Sequence, residues 1–216
     1  MLVICDFDGT ITTADVTNVL WDRFGIADWR ARLLPGFRSG ELSHLELMDI
    51  GWREVTATEN ELLAYARPLI DLRAGFQAFV DRCRREHWTF HVLSGGLDWY
   101  LRALLPPDIP FTCYITHFDG GWRVRLPAGL EVPDRLDFKV HALGMLRARH
   151  PGLETVFIGD GRNDLPVARE ADRRFAVRGS TLARLCDQEH LSYETFDSFD
   201  DVAAALLPDT RPVTAP

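Results

Sequence analysis

Two aspartates near the start of the chain are the residues best suited to carry chemistry. Asp6 and Asp8 follow the apolar run Leu2–Cys5, and Gly9 and Thr10 come directly after them. Two carboxylates this close repel each other unless a cation lies between them or one of them keeps a proton. Oxygen ligands of this kind suit Mg²⁺, which also bridges phosphate oxygens. The pair therefore predicts a magnesium site, and the simpler alternative is an aspartate-rich turn after a strand.

A hydroxyl group and two glycines follow a second apolar run. Ser94, Gly95 and Gly96 come after Thr89–Leu93 and lead into a helical pattern. Bare backbone N–H groups at the start of a helix, together with a hydroxyl, make an anion-binding site. The alternative is an ordinary strand, glycine turn and helix that binds nothing.

Lys139 is the only lysine among the 24 lysine and arginine residues of the chain. Since arginine is used wherever a generic positive charge is enough, a single lysine favours a site that needs a compact ammonium group rather than a planar guanidinium. The alternative is a surface lysine at the start of a helix.

A third apolar run also ends in aspartates. Asp160 follows Thr155–Ile158 and Gly159, and Asp164 lies four residues later, before a helical pattern with Pro166 in its first turn. A helix N-cap explains one of these aspartates but not both.

The elements that must position these residues alternate between short apolar runs and longer helical patterns. This alternation predicts an α/β fold with a doubly wound parallel sheet covered by helices on both faces. The predicted strands are Leu2–Cys5, Thr89–Leu93, Thr155–Ile158 and Arg174–Val177. The predicted helices lie near Gly75–Glu86, Leu97–Leu105, Phe138–Arg149, Asp164–Glu170, Thr181–Asp187 and Phe199–Leu207. In such a sheet the carboxyl ends of the strands meet at one crevice, where a hydroxyl, one lysine and several carboxylates describe a Mg²⁺-dependent phosphoryl-transfer site.

Residues 15–73 break the alternation, because they contain helical patterns and no convincing strand. They are too long for a simple crossover and predict a helical cap inserted into a core domain of residues 1–14 and 74–216. Residues 111–126 alternate around Asp-Gly-Gly and predict a β-hairpin or a pair of edge strands. Two pairs in the cap have the spacing of capping boxes: Ser43 with Glu46 and Thr58 with Glu61.

Five aromatic residues of the predicted cap allow two interpretations. The favoured one is that they pack the cap itself. The other is that one or two line the crevice and accept an apolar end of the substrate. The five are Trp21, Phe24, Trp29, Phe37 and Trp52.

Composition narrows the classes of partner. The formal net charge of −8 argues against nucleic acid and against an anionic membrane surface, while a small phosphorylated metabolite remains compatible with a local metal site. The chain shows no signal-peptide pattern and no apolar run of transmembrane length. Its four cysteines lack a CxxC spacing, which favours free thiols in a reducing cytoplasm. We expect a cytoplasmic monomer or homodimer.

The four motifs, in this order, resemble those of the haloacid dehalogenase-like hydrolase superfamily. The resemblance rests on "DFDGT", "SGG", the single Lys139 and "GDGRND", and it covers nearly the whole chain. The helical insertion after the first motif is similar to the cap of the phosphoserine phosphatase-like subgroup. Because dehalogenases of the superfamily lack the second aspartate, Asp8 implies phosphate ester chemistry.

The resemblance implies a role for each motif residue. Asp6 is expected to be the nucleophile that forms an aspartyl-phosphate, and Asp8 the general acid and then the general base. The implied cofactor is Mg²⁺, held by Asp6, the backbone carbonyl of Asp8, and Asp160, with Asp164 orienting the metal site. The residues implied to bind the phosphoryl group or the rest of the substrate are Ser94, Gly95, Lys139 and Asp15.

Two substrate classes within the subgroup stay open. "VICDFDGTIT", "RAGFQAFV", "SGGLDWY" and "THFD" are similar to the phosphatases of methionine salvage, which implies 2-hydroxy-3-keto-5-methylthiopentenyl-1-phosphate as the preferred substrate. The phosphoserine phosphatases are the alternative, although Gly9 replaces their serine and Asp15 stands where they carry glutamate. A phosphotransferase or mutase on the same scaffold, and a binding domain without catalysis, are the further alternatives.

Overall fold

The strand that precedes Asp6 lies in the middle of a seven-stranded sheet. The computed structural model describes residues 1–130 and 138–207. The strands are β1 (Leu2–Cys5), β2 (Thr89–Leu97), β3 (Phe111–Phe118), β4 (Trp122–Arg125), β5 (Thr155–Gly159), β6 (Arg173–Val177) and β7 (Glu194–Phe196). Their order in the sheet is β4-β3-β2-β1-β5-β6-β7, and every neighbouring pair is parallel except β3 and β4. The predicted α/β fold class with a parallel sheet is confirmed.

The three strands that carry the sequence motifs are direct neighbours. All four residues of β1 are buried, and β1 pairs in parallel with β2 on one side and β5 on the other. Cys5 at the end of β1 is paired with Val92 and with Ile158, so the polar residues that follow these strands emerge at the same edge of the sheet. The apolar side chains of these strands are buried on both faces of the sheet. The parallel register of the strands places the three motifs side by side.

Ten α-helices occupy the described parts of the chain. They are α1 (Val16–Phe24), α2 (Trp29–Ser39), α3 (His44–Arg53), α4 (Glu59–Ala66), α5 (Phe76–Arg85), α6 (Asp98–Leu104), α7 (Phe138–Arg149), α8 (Leu165–Glu170), α9 (Thr181–Glu189) and α10 (Phe199–Leu206). The predicted helices agree with these bounds within one or two residues. Both predicted capping boxes are present, at the start of α3 and of α4.

Two predictions about strands were incomplete. The strand β2 continues to Leu97 instead of ending at Leu93, and its pairing with β3 shifts register between these two residues. The edge strand β7 was missed, because its three residues include two exposed polar ones and give no hydrophobic pattern. The predicted hairpin at residues 111–126 is confirmed as the antiparallel pair β3 and β4.

The helical stretch that interrupts the sheet begins and ends at one place. Thr13 donates its backbone N–H to the carbonyl of Asp71 at 2.9 Å, and Arg73 donates to the carbonyl of Ile11 at 2.7 Å. The helices α1 to α4 lie between these two crossing segments. The boundaries 15–73 of the cap and its status as a separate domain stay predictions.

The same helices contact the hairpin formed by β3 and β4. The indole N–H of Trp122 donates to the carbonyl of Ala57 at 3.0 Å, and the N–H of Val124 donates to the Asp49 carboxylate at 3.0 Å. A side chain on Gly121 would meet the carbonyl oxygen of Arg53 at 2.0 Å, so only glycine permits this close approach. The hairpin therefore holds α3 against the edge of the sheet.

The four cysteines are buried and unpaired, as predicted: Cys5, Cys83, Cys113 and Cys186. Across residues 1–130 and 138–207, every helix is too short or too polar to cross a membrane.

Candidate active site

Three carboxylates meet where β1 and β5 end. One oxygen from each of Asp6, Asp160 and Asp164 lies within 4.8 Å of the others. Asp6 directly follows β1 and Asp160 directly follows β5, while Asp164 closes a short 3-10 turn before α8. The sequence predicted this convergence because parallel neighbouring strands end at the same edge of a sheet.

Lys139 lies in the first turn of α7 and is fully buried. Its Nζ donates to Asp6 Oδ1 at 2.7 Å and to Asp164 Oδ1 at 2.6 Å. Burial alone would lower the pKa of this ammonium group, but the carboxylates of Asp164 and Asp6 outweigh burial and raise it above its usual value. Lys139 is therefore a permanent cation between two carboxylates, and the alternative of a surface lysine is wrong.

Asp164 also shapes the loop that follows β5. Its Oδ2 accepts hydrogen bonds from the backbone N–H groups of Asp160 at 3.0 Å and Gly161 at 2.8 Å. The side chain thus joins the lysine to the backbone that positions Asp160. Asp164 therefore does more than cap a helix, which explains why the motif contains two aspartates.

The acidic cluster carries more negative charge than Lys139 can balance. Burial, together with the neighbouring Asp164, raises the pKa of Asp160 to about 7, and burial and Asp164 also raise the pKa of Asp6. A hard divalent cation would relieve this repulsion through oxygen ligands alone. Because three carboxylate oxygens already lie close enough to share one ion, the residues fit Mg²⁺.

Gly9 and Thr10 hold the loop after β1 against Asp160. Gly9 has a φ of 77°, and a side chain there would approach Asp160 Oδ2 within 2.6 Å. The hydroxyl of Thr10 donates to Asp160 Oδ1 at 2.9 Å. Arg73 donates to the carbonyls of Gly9 and Thr10, each at 2.7 Å. Gly9 is required because its positive φ disfavours other residues and because Asp160 leaves no room for a side chain.

The carboxylate of Asp8 is bound by groups outside the acidic cluster. Its Oδ1 accepts the N–H of Val16 at 2.9 Å and its Oδ2 accepts the hydroxyl of Tyr100 at 2.7 Å. Burial, followed by the nearby Asp15 and Asp6, raises the pKa of Asp8. Asp8 therefore favours the protonated form that a general acid requires.

Sequence reasoning missed Tyr100. Burial and the adjacent Asp8 raise the pKa of its phenol, so the hydroxyl stays protonated and donates to Asp8. The hydroxyl oxygen of Thr17 lies 3.2 Å from the hydroxyl oxygen of Tyr100. Tyr100 lies on the buried face of α6, where aromatic residues commonly serve only to pack the core, so no local sequence pattern pointed to this contact.

Replacing Tyr100 with phenylalanine is expected to lower kcat about 10-fold with little change in KM, because Asp8 loses the hydrogen bond that orients it. Steady-state kinetics on p-nitrophenyl phosphate provides the measurement. Tyr193→Phe is the matched control, since Tyr193 donates to Asp187 at 2.8 Å on the exposed surface. Equal effects of the two variants on kcat would contradict the positioning role of Tyr100.

The Ser94-Gly95-Gly96 segment agrees with its prediction in part. It leads into α6 at Asp98 as predicted, but it lies inside β2, which continues to Leu97 across a register shift against β3. Ser94 is fully buried, and its hydroxyl oxygen accepts the N–H of Gly96 at 2.9 Å. The glycines are needed because a side chain on Gly96 would meet the Tyr100 hydroxyl at 2.1 Å.

The predicted substrate-binding residue Asp15 is also a helix cap. Its Oδ1 accepts the N–H of Asn18 at 2.7 Å, at the N-terminus of α1. Its carboxylate nevertheless lines the cavity described next. The structure thus gives Asp15 a local structural role and a position near the acidic cluster.

A cavity of about 190 Å³ opens beside Asp6 and Asp8. The helices α1 to α3 cover it mainly with apolar side chains: Trp21, Trp29, Leu34, Phe37, Leu47 and Met48. Among the described residues of its wall, Arg162 is the only arginine or lysine, and it comes from the loop after β5. His44, Arg162 and Asn163 also line the cavity and were not predicted.

The aromatic residues of the predicted cap divide between the two interpretations. Trp52 is fully buried against Trp99, and Phe24 packs edge-on against Tyr65. Trp21, Trp29 and Phe37 line the cavity as well as packing among the helices.

Comparison with known proteins places this site in a family. The family model described as haloacid dehalogenase-like hydrolase matches residues 3–169. Pdp3-interacting factor 1 of Schizosaccharomyces pombe is 25% identical over 214 residues, which cover 94% of this chain and 93% of that protein. The 2-hydroxy-3-keto-5-methylthiopentenyl-1-phosphate phosphatase of Bacillus cereus is 27% identical over 210 residues, covering 94% of each protein.

Solved structures share the same fold. A HAD family hydrolase from Salmonella enterica serovar Typhi superposes with a TM-score of 0.75 at 18% identity, over 97% of this chain and 71% of that one. A substrate-bound phosphoserine phosphatase superposes with a TM-score of 0.73 at 14% identity, over 95% of this chain and 98% of the other.

Proposed function

The chain belongs to the haloacid dehalogenase-like hydrolase family, and we propose that it is a Mg²⁺-dependent phosphatase of a small phosphorylated metabolite. The observation that carries the proposal is the buried arrangement of Asp6, Asp160 and Asp164 around Lys139, beside a cavity that Asp8 also lines. The relatives named as phosphatases agree with this enzyme class.

In the proposed reaction Asp6 attacks phosphorus and forms an aspartyl-phosphate as the ester P–O bond breaks. Asp8 gives its proton to the departing alkoxide oxygen. The same carboxylate then takes a proton from water, whose oxygen attacks phosphorus and releases inorganic phosphate and free Asp6. The raised pKa of Asp8 supports its first role, and its hydrogen bonds to Val16 and Tyr100 orient it.

The metal and the phosphoryl group would be held by the remaining motif residues. Asp6, Asp160 and the backbone carbonyl of Asp8 are proposed to bind Mg²⁺, with Asp164 orienting the site. When bound, the ion supplies positive charge to the phosphoryl oxygens. Gly95 lines the cavity, and we propose that its backbone N–H binds these oxygens together with the Ser94 hydroxyl and the Lys139 ammonium group. The Ser94 hydroxyl accepts from the N–H of Gly96 through its oxygen, and its single proton would be donated to the phosphoryl group in this proposal.

The lining of the cavity favours an uncharged, partly apolar leaving group. The helices that cover it contribute no lysine or arginine to the described wall. This supports 2-hydroxy-3-keto-5-methylthiopentenyl-1-phosphate as the preferred substrate over phosphoserine, whose carboxylate would lack a partner from these helices.

Phosphoserine remains the second candidate substrate because Asp15 lines the cavity and would pair with its ammonium group. Steady-state kinetics with both compounds separates the candidates: the methylthio sugar phosphate is expected to have the higher kcat/KM. The phosphotransferase alternative would pass the phosphoryl group to a second sugar instead of to water. Quantitative release of inorganic phosphate would therefore indicate hydrolysis.

Removal of divalent metal with EDTA is expected to abolish turnover, and Mg²⁺ is expected to restore it. Mg²⁺ should also raise Tm, because an ion bound only by the folded protein stabilises it by about 2.7 kcal/mol at 100 times its Kd. Calorimetry of the wild type and of Asp160→Asn provides a readout independent of catalysis, and the variant should show a smaller shift. Full activity in metal-free protein would contradict the proposed cofactor.

A further inference from the structure

A second and larger cavity adjoins the one beside Asp6. It has a volume of about 660 Å³ and shares four wall residues with the smaller cavity: Phe37, His44, Arg162 and Asn163. Apart from the charged Glu46, the remaining wall is largely apolar and includes Leu42, Leu45, Leu126, Phe138 and Val140. A substrate whose phosphate lies beside Asp6 can therefore extend past His44 into apolar surroundings.

The imidazole of His44 stands at the junction of the two cavities. It is the first residue of α3 and packs between the rings of Phe37 and Tyr114, with centroids 5.5 and 5.7 Å away. A side chain on Gly95 would meet His44 Cε1 at 2.6 Å, so the ring edge lies directly against the strand segment that lines the catalytic cavity. His44 is thus beside the proposed phosphoryl site without contacting the acidic cluster.

The hydrogen-bonding state of His44 leaves one nitrogen available. Its Nδ1 lies 3.1 Å from the hydroxyl of Tyr114, and within residues 1–130 and 138–207 its Nε2 has no hydrogen-bond partner. Burial, with a smaller effect from Lys139, lowers the pKa of His44 to about 3, so the ring is neutral. A neutral ring donates from Nε2 in one tautomer and accepts there in the other. A hydroxyl group matches both cases, because it can accept or donate.

We propose that His44 selects the substrate through a hydrogen bond between its Nε2 and a hydroxyl group next to the ester carbon, with the apolar remainder of the leaving group lying in the larger cavity. The inference rests on the proposed phosphatase function and specifies its substrate class: phosphate monoesters of uncharged, hydroxyl-bearing alcohols with an apolar chain.

Two matched esters test the hydrogen bond. Pentyl phosphate and 2-hydroxypentyl phosphate differ only in the hydroxyl, and the wild type is expected to favour the second in kcat/KM on the order of 10-fold, mainly through KM. His44→Leu should reduce this ratio to about 1, whereas His44→Gln, which keeps a polar group at the same reach, should retain most of it. His117→Leu, at an exposed position of β3, is the control and should leave the ratio unchanged.

The possible outcomes distinguish a failure of the proposed role of His44 from a failure of the proposed phosphatase function. If the wild type hydrolyses both esters with no preference, or if His44→Leu keeps the wild-type ratio, the role of His44 is contradicted and the phosphatase proposal stands. If the wild type hydrolyses neither these esters nor p-nitrophenyl phosphate in the presence of Mg²⁺, the proposed function fails, and the inference fails with it. A rise in kcat/KM from 2-hydroxypropyl to 2-hydroxypentyl phosphate supports the placement of the chain in the larger cavity, and no rise contradicts it.

Discussion

Asp6→Asn is expected to lower kcat by roughly 10⁴-fold or more, because a neutral amide cannot act as the nucleophile toward phosphorus. The variant should still fold, since asparagine has nearly the same shape and Lys139 retains its contact with Asp164 at 2.6 Å. Steady-state release of inorganic phosphate is the measurement. Trapping of phosphate on the wild-type protein, detected by mass spectrometry after a rapid acid quench, should be absent from the variant.

The matched control for this variant is Asp197→Asn, which makes the same chemical change in an exposed ion pair with Arg178. Exposed pairs contribute little, so its kcat and Tm should stay near those of the wild type. Sustained hydrolysis by Asp6→Asn at more than a hundredth of the wild-type rate would exclude the covalent mechanism.

Lys139→Met is expected to impair both stability and catalysis. The substitution preserves much of the volume but removes the cation that Asp6 and Asp164 share in a fully buried position. Removing one partner of a buried ion pair destabilises a protein by about 3–5 kcal/mol, because the charges left behind have lost both water and their partner. Chemical denaturation in metal-free buffer measures this loss, and kcat should fall with it.

A second variant tests whether the loss has an electrostatic origin. Lys139→Met combined with Asp164→Asn removes one positive and one negative charge, so it should be more stable than Lys139→Met alone. Mg²⁺ should likewise stabilise the single variant more than it stabilises the wild type. If the double variant is less stable than the wild type by the sum of the effects of Lys139→Met and Asp164→Asn measured separately, the lysine contributes packing and not charge compensation.

Much of the fold could be predicted because its signals are local. The strand β1 is an uninterrupted apolar run and β5 is largely apolar, and several helices begin at capping residues that the sequence displays, such as Ser43 and Thr58. Where local sequence patterns predicted the wrong element, contacts between distant parts of the chain determined the secondary structure. The glycines after Leu93 predict a turn, but β2 continues through them and pairs with β3 again at Leu97 after a shift in register.

The acidic part of the candidate site was predictable for a similar reason. Asp6 and Asp160 each stand immediately after a strand, and a parallel register of neighbouring strands brings such residues together. The catalytic and metal-binding roles assigned to them remain predictions for the experiments above. Tyr100 and His44 were missed because a tyrosine on a buried helix face and a histidine at a helix start are common without any function.

The amino-acid sequence by itself determined the α/β class, the family resemblance and the grouping of carboxylates, lysine and glycines, because these depend on residue types at short spacings along the chain. Only the tertiary structure decided which groups these residues contact. It placed Lys139 between Asp6 and Asp164, and it brought the Tyr100 hydroxyl to Asp8 across 92 positions of sequence. Such contacts join distant elements and depend on packing, and they determine both the charge balance of the site and the shape of the space open to a substrate.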